Sequence, residues 1–177
     1  MKRVNEPNQL CILEIRKADA IKNFNRLVLN RNKLEPYLRT VIAQDLNILL
    51  DDIRFWGVDS KKGNMRVFER ISENTTIIAI LNKEVKYKIE VIGTKKAPLF
   101  PVVAGWGLDY SNVILLKKPQ PISIPYQLLR RALSYKNGHW SGLKSVGNDT
   151  LRKSLLKMGV RNLDEWIDTL SENKTIF

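Results

Sequence analysis

The chain has 177 residues, and 30 Lys and Arg against 18 Asp and Glu give it a formal net charge of +12. Its length suits one domain, or one domain with a small appendage, and 44% hydrophobic residues are enough for a real core. The composition excludes a disordered chain, and the basic balance favours anionic partners such as nucleic acid. The apolar runs are all far too short to span a bilayer, so no membrane partner is expected.

Cysteine usage and the N-terminal residues bear on the compartment. No apolar stretch of signal-peptide length follows Met1. Cys11 is the single cysteine, so no internal disulfide can form and a reducing compartment is expected. We therefore expect a cytoplasmic protein in which Cys11 is a buried structural thiol.

Helical patterns are predicted near the N-terminus. Residues 10–15 are mostly apolar and fit either a short strand or the start of a helix, because periodicity cannot separate the two in so short a run. From Ala18 onward, apolar residues recur at helical spacing. A second helical pattern covers residues 34–49, with Pro36 in its first turn. The chain is therefore expected to open with a helical pair.

The next sixty residues are rich in β-branched and aromatic side chains broken by turn residues, which is typical of an antiparallel meander. Residues 61–64 and 82–84 have the composition of hairpin turns, and no connection has room for a crossover helix. Five strands are predicted, over residues 53–58, 65–71, 75–81, 85–92 and 112–116. The predicted fold class is α+β, with an N-terminal helical pair, an antiparallel sheet of about five strands and a small basic helical C-terminal module.

The domain boundary is predicted from prolines. Three prolines fall within residues 119–125, which favours a stiff, extended connector, although such a segment can also lie flat on a sheet edge. We therefore predict an α+β core over residues 1–118, a connector over 119–125 and a basic helical module over 126–177.

The stretch from Lys117 to Arg161 carries ten Lys and Arg residues against one acid, Asp149. Three aromatic residues are interleaved with them, and positive charge combined with stacking surface suits a polyphosphate strand. The alternative is a solvated lysine-rich face. The residues predicted to bind DNA or RNA are Lys117, Lys118, Arg130, Arg131, Lys136, Trp140, Lys144, Gly147, Asn148, Arg152, Lys153, Lys157 and Arg161.

Within this stretch, residues 143–147 read Leu-Lys-Ser-Val-Gly and precede a predicted helix that ends at Gly159-Val160. This pattern resembles the helix-hairpin-helix DNA-binding motif, with serine at 145 where a glycine is usual and with glycines at 138 and 142 where the preceding helix should lie. The resemblance implies that the backbone N–H groups of residues 147–149 bind phosphate without reading sequence. A helix N-terminus followed by basic residues also favours an anion independently of the motif. A plain helical turn of the same shape remains the alternative.

Catalysis has little support in the residue types. One cysteine and one histidine cannot supply a zinc site, and His139 lies among basic residues with no nearby acid to orient it in a hydrolase triad. The remaining enzymatic alternative is a nuclease in which Asp59, Glu84 and Lys86 bind Mg²⁺ and assist the attacking water. No cofactor is expected otherwise.

The leading hypothesis is therefore a protein that binds the phosphate backbone of nucleic acid through its basic C-terminal residues, with little sequence specificity. A protein-interaction subunit of a nucleoprotein complex, with its basic face on an acidic partner, is a further alternative.

Overall fold

The structure is a computed structural model, and it describes residues 9–30, 53–96, 110–135, 140 and 142–172. Residue contacts divide the chain into two compact units. Unit 1 comprises the described residues within Met1–Arg16, Asn74–Lys88 and Gln120–Phe177. Unit 2 comprises those within Lys17–Glu73 and Ile89–Pro119.

The chain combines helices with a mixed sheet, and four strands follow one another between the second and third helices, so the fold class is α+β as predicted. The strands are β1 (Leu10–Ile15), β2 (Arg54–Val58), β3 (Thr76–Leu81), β4 (Glu84–Lys96), β5 (Asn112–Leu116), β6 (Gln120–Ile124) and β7 (Gly142–Ser145). The helices are α1 (Ala18–Phe24), which continues as a π-helix over Asn25–Leu29, α2 (Lys62–Phe68), α3 (Tyr126–Ala132), α4 (Asn148–Met158) and α5 (Leu163–Glu172). Across the described ranges, none of these helices combines the length and apolar character needed to cross a membrane.

β1 is an interior strand of the unit 1 sheet, between β3 and the edge strand β7, and all six of its residues are buried. It pairs in parallel with β3, placing Ile12 beside Ile78, and antiparallel with β7, placing Leu13 beside Leu143. The sheet of this unit runs in the order β6-β4-β3-β1-β7, with β4 contributing its first residues. Strands buried on both faces are typically near-continuous apolar runs, and residues 10–15 are apolar except for Glu14.

The predicted purely antiparallel sheet is wrong, because β1 and β3 are parallel. Parallel strands need a long crossover, and the chain between these two strands contains α1 and α2. The strand predicted over residues 65–71 is also wrong. Residues 62–68 form α2, and the predicted hairpin turn at 61–64 is the entry to that helix, where Asp59 accepts hydrogen bonds from the Lys61 N–H and the Asn64 side chain.

The remaining strand predictions are confirmed. Residues 53–58, 75–81, 85–92 and 112–116 correspond to β2, β3, β4 and β5. β2 pairs with β5, and β5 pairs with the second part of β4, all antiparallel, in unit 2. The predicted helix beginning at Ala18 is confirmed as α1, and its Phe24 contacts Trp56 edge to face with ring centroids 5.7 Å apart. The second predicted helix, residues 34–49, lies outside the described residues.

Residues 120–124 are extended, as predicted, but they form β6 on β4 rather than a free connector. One boundary between the units falls between Pro119 and Gln120, inside the predicted connector. The residues after it share unit 1 with β1, β3 and the start of β4.

Helices α4 and α5 pack in the unit 1 core around Trp166, which is fully buried. The Trp166 indole N–H donates to the Ser154 hydroxyl at 2.9 Å, so the only polar atom of this ring is satisfied. Strand β7 precedes α4, and it covers three of the residues that the motif resemblance assigns to the hairpin. A helix follows Gly147, as the resemblance implies, but residues 142–145 pair with β1 as a strand, and the helix-hairpin-helix motif itself stays a prediction.

The end of α4 provides a test of this local structure. Gly159 has φ +69°, and its neighbour Val160 donates to the Leu155 carbonyl oxygen at 3.2 Å. A side chain in this left-handed conformation costs about 1 kcal/mol, although a Cβ at Gly159 would meet no atom within 4 Å. We expect Gly159→Ala to lower the free energy of unfolding by about that amount in a denaturant titration.

The control is Gly63→Ala in α2, where a Cβ would also meet nothing within 4 Å and the backbone is helical. This change should raise stability by about 0.5 kcal/mol, because alanine loses less entropy in a helix. Equal effects of the two substitutions would contradict the role assigned to the backbone angle of Gly159.

Candidate nucleic-acid interface

The sheet fixes the start of α4. The Val146 N–H donates to the Leu10 carbonyl oxygen at 2.8 Å, directly after β7 has paired with β1. Leu151 and Leu155 are fully buried and face the core. Ser154 lies on the same buried face, and with 3.6 residues per turn the positions on the opposite side of the helix point away from the core. The structure accordingly exposes the side chains of Arg152, Lys153, Leu156 and Lys157.

The N-terminus of α4 has no side-chain cap. Gly147 is the N-cap residue, with φ −63° and ψ 138°, and no side-chain hydrogen bond closes the first turn. Lys144, Gly147 and Asn148 are all exposed. Uncapped N–H groups at the positive end of a helix favour an anion. The backbone does not itself require glycine at 147, since a Cβ there would meet only the Thr150 hydroxyl, at 3.8 Å.

Ion pairs separate the predicted cations into two groups. Lys117 binds Glu90 at 2.6 Å, and this hydrogen bond raises the pKa of Lys117. Arg161 lies 4.0 Å from Glu165. In contrast, within the part of the chain that the structure describes, Lys144, Arg152 and Lys153 form no ion pair. We call Lys144, Gly147, Asn148, Arg152, Lys153 and Lys157 the α4 surface.

Other residues predicted to bind nucleic acid lie elsewhere. Lys117 and Lys118 are exposed residues of unit 2, whereas the rest of the predicted set belongs to unit 1. On α3, Arg131 is exposed and its Nε donates to the Gln127 carbonyl oxygen at 3.4 Å. Arg130 is half-buried, with its guanidinium 5.8 Å from the ring centroid of Tyr126. Lys136 lies outside the described residues.

Trp140 is a core residue. It is 4% exposed, and its ring contacts Tyr126 and Tyr135 edge to face, with centroids 5.8 and 5.1 Å apart. In this conformation the Trp140 ring is covered by protein and offers no free face to a base. Its interleaving with basic residues in the sequence reflects packing of the segment after α3, and the stacking predicted for it has no support in the geometry.

Sequence reasoning missed Glu14, the acid inside the apolar run of β1. Its side chain is fully buried, and its Oε1 accepts hydrogen bonds from Arg16 at 2.7 Å and from the Tyr126 hydroxyl at 3.2 Å. The hydrogen bond with Glu14 is the largest cause that raises the pKa of Arg16. Burial first, and the charge of Glu14 second, raise the pKa of Tyr126. An acid in an otherwise apolar strand was the available signal.

The residues of the nuclease hypothesis are engaged separately. Asp59 binds the entry of α2 in unit 2. Glu84 pairs with Lys86 at 2.6 Å in unit 1, which raises the pKa of Lys86. Across the described ranges, no three His, Cys, Asp or Glu side chains cluster as metal ligands. The nuclease therefore stays a prediction, without geometric support from these three residues.

Comparisons with known proteins give a fold relationship. No protein-family model matches the chain, and no curated protein matches it. Among solved structures, the chain is similar to the N-terminal domain of Thermococcus gammatolerans McrB bound to m5C DNA, with a TM-score of 0.59 and 18% sequence identity. The match covers 85% of this chain and 96% of that domain, so the two share a fold over most of their lengths.

Cys11 gives a test of the packing around β1. Its side chain is fully buried, and burial raises the pKa of the thiol to about 12. We expect Cys11 to react with a disulfide reagent at pH 8 orders of magnitude more slowly in the folded protein than in guanidinium, because the thiolate is the nucleophile. Rapid labelling of the folded chain would show that β1 is not buried as described.

Proposed function

We propose that this chain binds DNA through the α4 surface, by contacts to the phosphate backbone. The observation that carries the proposal is that Lys144 precedes an uncapped helix N-terminus, Arg152 and Lys153 follow it in the second turn, and none of the three forms an ion pair in the described part of the chain. A cation that already pairs with an acid gains less electrostatic free energy from contact with a phosphate. The net charge of +12 adds long-range attraction for a polyanion.

The fold relationship supports DNA as the polymer. The similar domain from T. gammatolerans was solved with methylated DNA, and the likeness extends over most of both chains. Phosphate contacts carry no base information, so binding through this surface would discriminate little between sequences. Whether RNA or an acidic protein competes is decided by the same titration with those ligands added.

Two substitutions on α4 test the surface. Arg152→Ala and Lys153→Ala should each weaken binding to a duplex and lower the slope of log K against log salt by about one, because each loses one phosphate contact. The loss should be similar on all DNA sequences. Fluorescence anisotropy at several salt concentrations between 50 and 200 mM measures both quantities.

The matched control is Lys62→Ala in α2, which removes one exposed positive charge from unit 2. It should affect binding less than either α4 variant and leave the salt slope nearly unchanged. If the wild-type protein binds no duplex, or if Lys62→Ala weakens binding as much as the α4 variants do, the α4 surface is not the DNA interface.

Substitution of Asp149 should strengthen DNA binding, in contrast to the substitutions that weaken it. Asp149 is an exposed acid in the first turn of α4, where it favours the helix but repels a phosphate at the same N-terminus. Asp149→Asn should therefore strengthen DNA binding severalfold at low salt while lowering stability by up to about 1 kcal/mol. Parallel anisotropy titrations and thermal melts would show the two effects, and weaker binding by this variant would contradict the proposal.

A further inference from the structure

A groove of about 530 Å³ lies in unit 1 between the first residues of β4 and strand β6. Its walls are residues 83–87 on one side and 121–126 on the other. Clefts that bind small-molecule-sized ligands span roughly 300 to 1000 Å³, a range that includes a nucleotide.

A break in strand register shapes the groove. Val85 pairs with Ile124 and Tyr87 pairs with Pro121, so two residues of β6 lie opposite the single residue Lys86. Such a bulge bends the strand and interrupts the regular pairing beside the groove. Pro121 and Pro125 lack N–H donors, which disfavours addition of a further β-strand along β6. The occupant is therefore not expected to be an extended peptide strand.

Lys83 stands at the rim in a strained conformation. The turn between β3 and β4 consists of Asn82 at φ +51° and Lys83 at φ +66°. Asparagine tolerates this left-handed region, but the second position of such a turn strongly favours glycine, and lysine is unfavourable there. Strain of this kind at a cleft points to a function for the side chain. Lys83 forms no ion pair in the described part of the chain, whereas neighbouring Lys86 is bound to Glu84.

Two tyrosines line the groove, and one of them is held firmly. Tyr126 donates its hydroxyl hydrogen to buried Glu14, packs edge to face with Trp140 and has the guanidinium of Arg130 over its ring. Tyr87 lines the opposite wall and is half-buried. Rings that are fixed before a ligand arrives lose little entropy when a base stacks on them.

We propose that this groove binds one or two unpaired nucleotides, with bases against Tyr87 and Tyr126 and a phosphate at Lys83. The proposal rests on the proposed DNA-binding function and adds an unpaired strand as a second ligand, at a surface that shares no residue with the α4 surface. The free cation at the rim gives the charge complementarity, and the tyrosines supply stacking surface that tolerates any base.

The Lys83→Gly variant distinguishes phosphate binding by Lys83 from a purely structural role of this residue in the turn. Glycine relieves the strained angle, so the melting temperature should rise by about 2–4 °C. Affinity for a single-stranded oligodeoxythymidylate should fall severalfold nevertheless, and its salt slope should fall by about one. The matched control, Asn82→Gly, changes the same turn without removing charge and should bind like the wild type. Unchanged binding by Lys83→Gly would overturn the phosphate contact.

The stacking contact is tested with Tyr87→Leu and with the dinucleotide pdTpdT. Tyr87→Leu should lower affinity for the single-stranded oligonucleotide about fivefold or more while duplex binding stays within about twofold of wild type. In amide NMR spectra, pdTpdT should shift the signals of residues 83–87 and 122–126, proline excepted. Thermal melts of the variant establish that it is folded.

The outcomes distinguish the two proposals. If duplex binding depends on Arg152 and Lys153 but pdTpdT shifts no groove signal, the groove proposal is wrong and the DNA-binding function stands. If neither duplex nor oligonucleotide binds, both fail. If a glutamate-rich peptide shifts the groove signals and pdTpdT does not, the groove binds acidic protein and the nucleotide assignment is overturned.

Discussion

The pairing of β1 on both of its sides is the constraint on which the described part of unit 1 depends. Its backbone bonds to β3 on one side and β7 on the other, and its six residues are buried. β7 leads directly into α4, and the Val146 N–H bonds to the Leu10 carbonyl oxygen. A shift of α4 along its axis would break that bond and expose Leu151 and Leu155, which are fully buried. The outward direction of Arg152 and Lys153 therefore follows from the sheet, because helical periodicity leaves these side chains only the solvent side.

Strand β1 also contains a side chain, that of Glu14, whose burial is energetically unfavourable. A buried carboxylate loses its hydration, and Glu14 recovers part of that free energy through Arg16 and Tyr126, while its Oε2 has no hydrogen-bond partner among the described residues. Replacing such a group by a hydrophobic residue is often neutral or stabilising. The carboxylate instead orients the side chain of Tyr126, because it fixes the hydroxyl end of this residue at the start of α3. A tyrosine bonded at its hydroxyl and packed against a second ring is restrained before a ligand arrives, which lowers the entropic cost of binding a flat ligand.

Local patterns in the sequence were sufficient to predict those strands and turns that depend only on neighbouring residues. Residues 75–81 and 85–92 form strands because β-branched residues pack well on a pleated sheet, and Asn82 allows the turn between them. The parallel partner of β1 was not predictable, since residues 10–15 and 76–81 are joined only by tertiary contacts. α2 was missed because its short apolar pattern fits either a helix or a strand, and the hydrogen bonds of Asp59 at its entry are visible only in three dimensions.

The basic residues also divide into a part that the sequence could predict and a part that depends on tertiary contacts. The sequence identified ten cations in one stretch, but the acids that neutralise some of the chain's cations are distant along it, as with Lys88 and Asp164, 76 residues apart and 2.6 Å from each other. Net charge therefore attracts a polyanion to the whole chain, whereas pairing decides which side chains can bind it. The α4 surface offers charge and backbone N–H groups, and the groove offers rings beside one charge. Counterion release makes the first kind of contact weaken steeply as salt rises, while stacking depends little on salt. If both surfaces bind DNA, the ionic strength sets their relative contributions, and unpaired nucleotides in the groove hold the larger share at high salt.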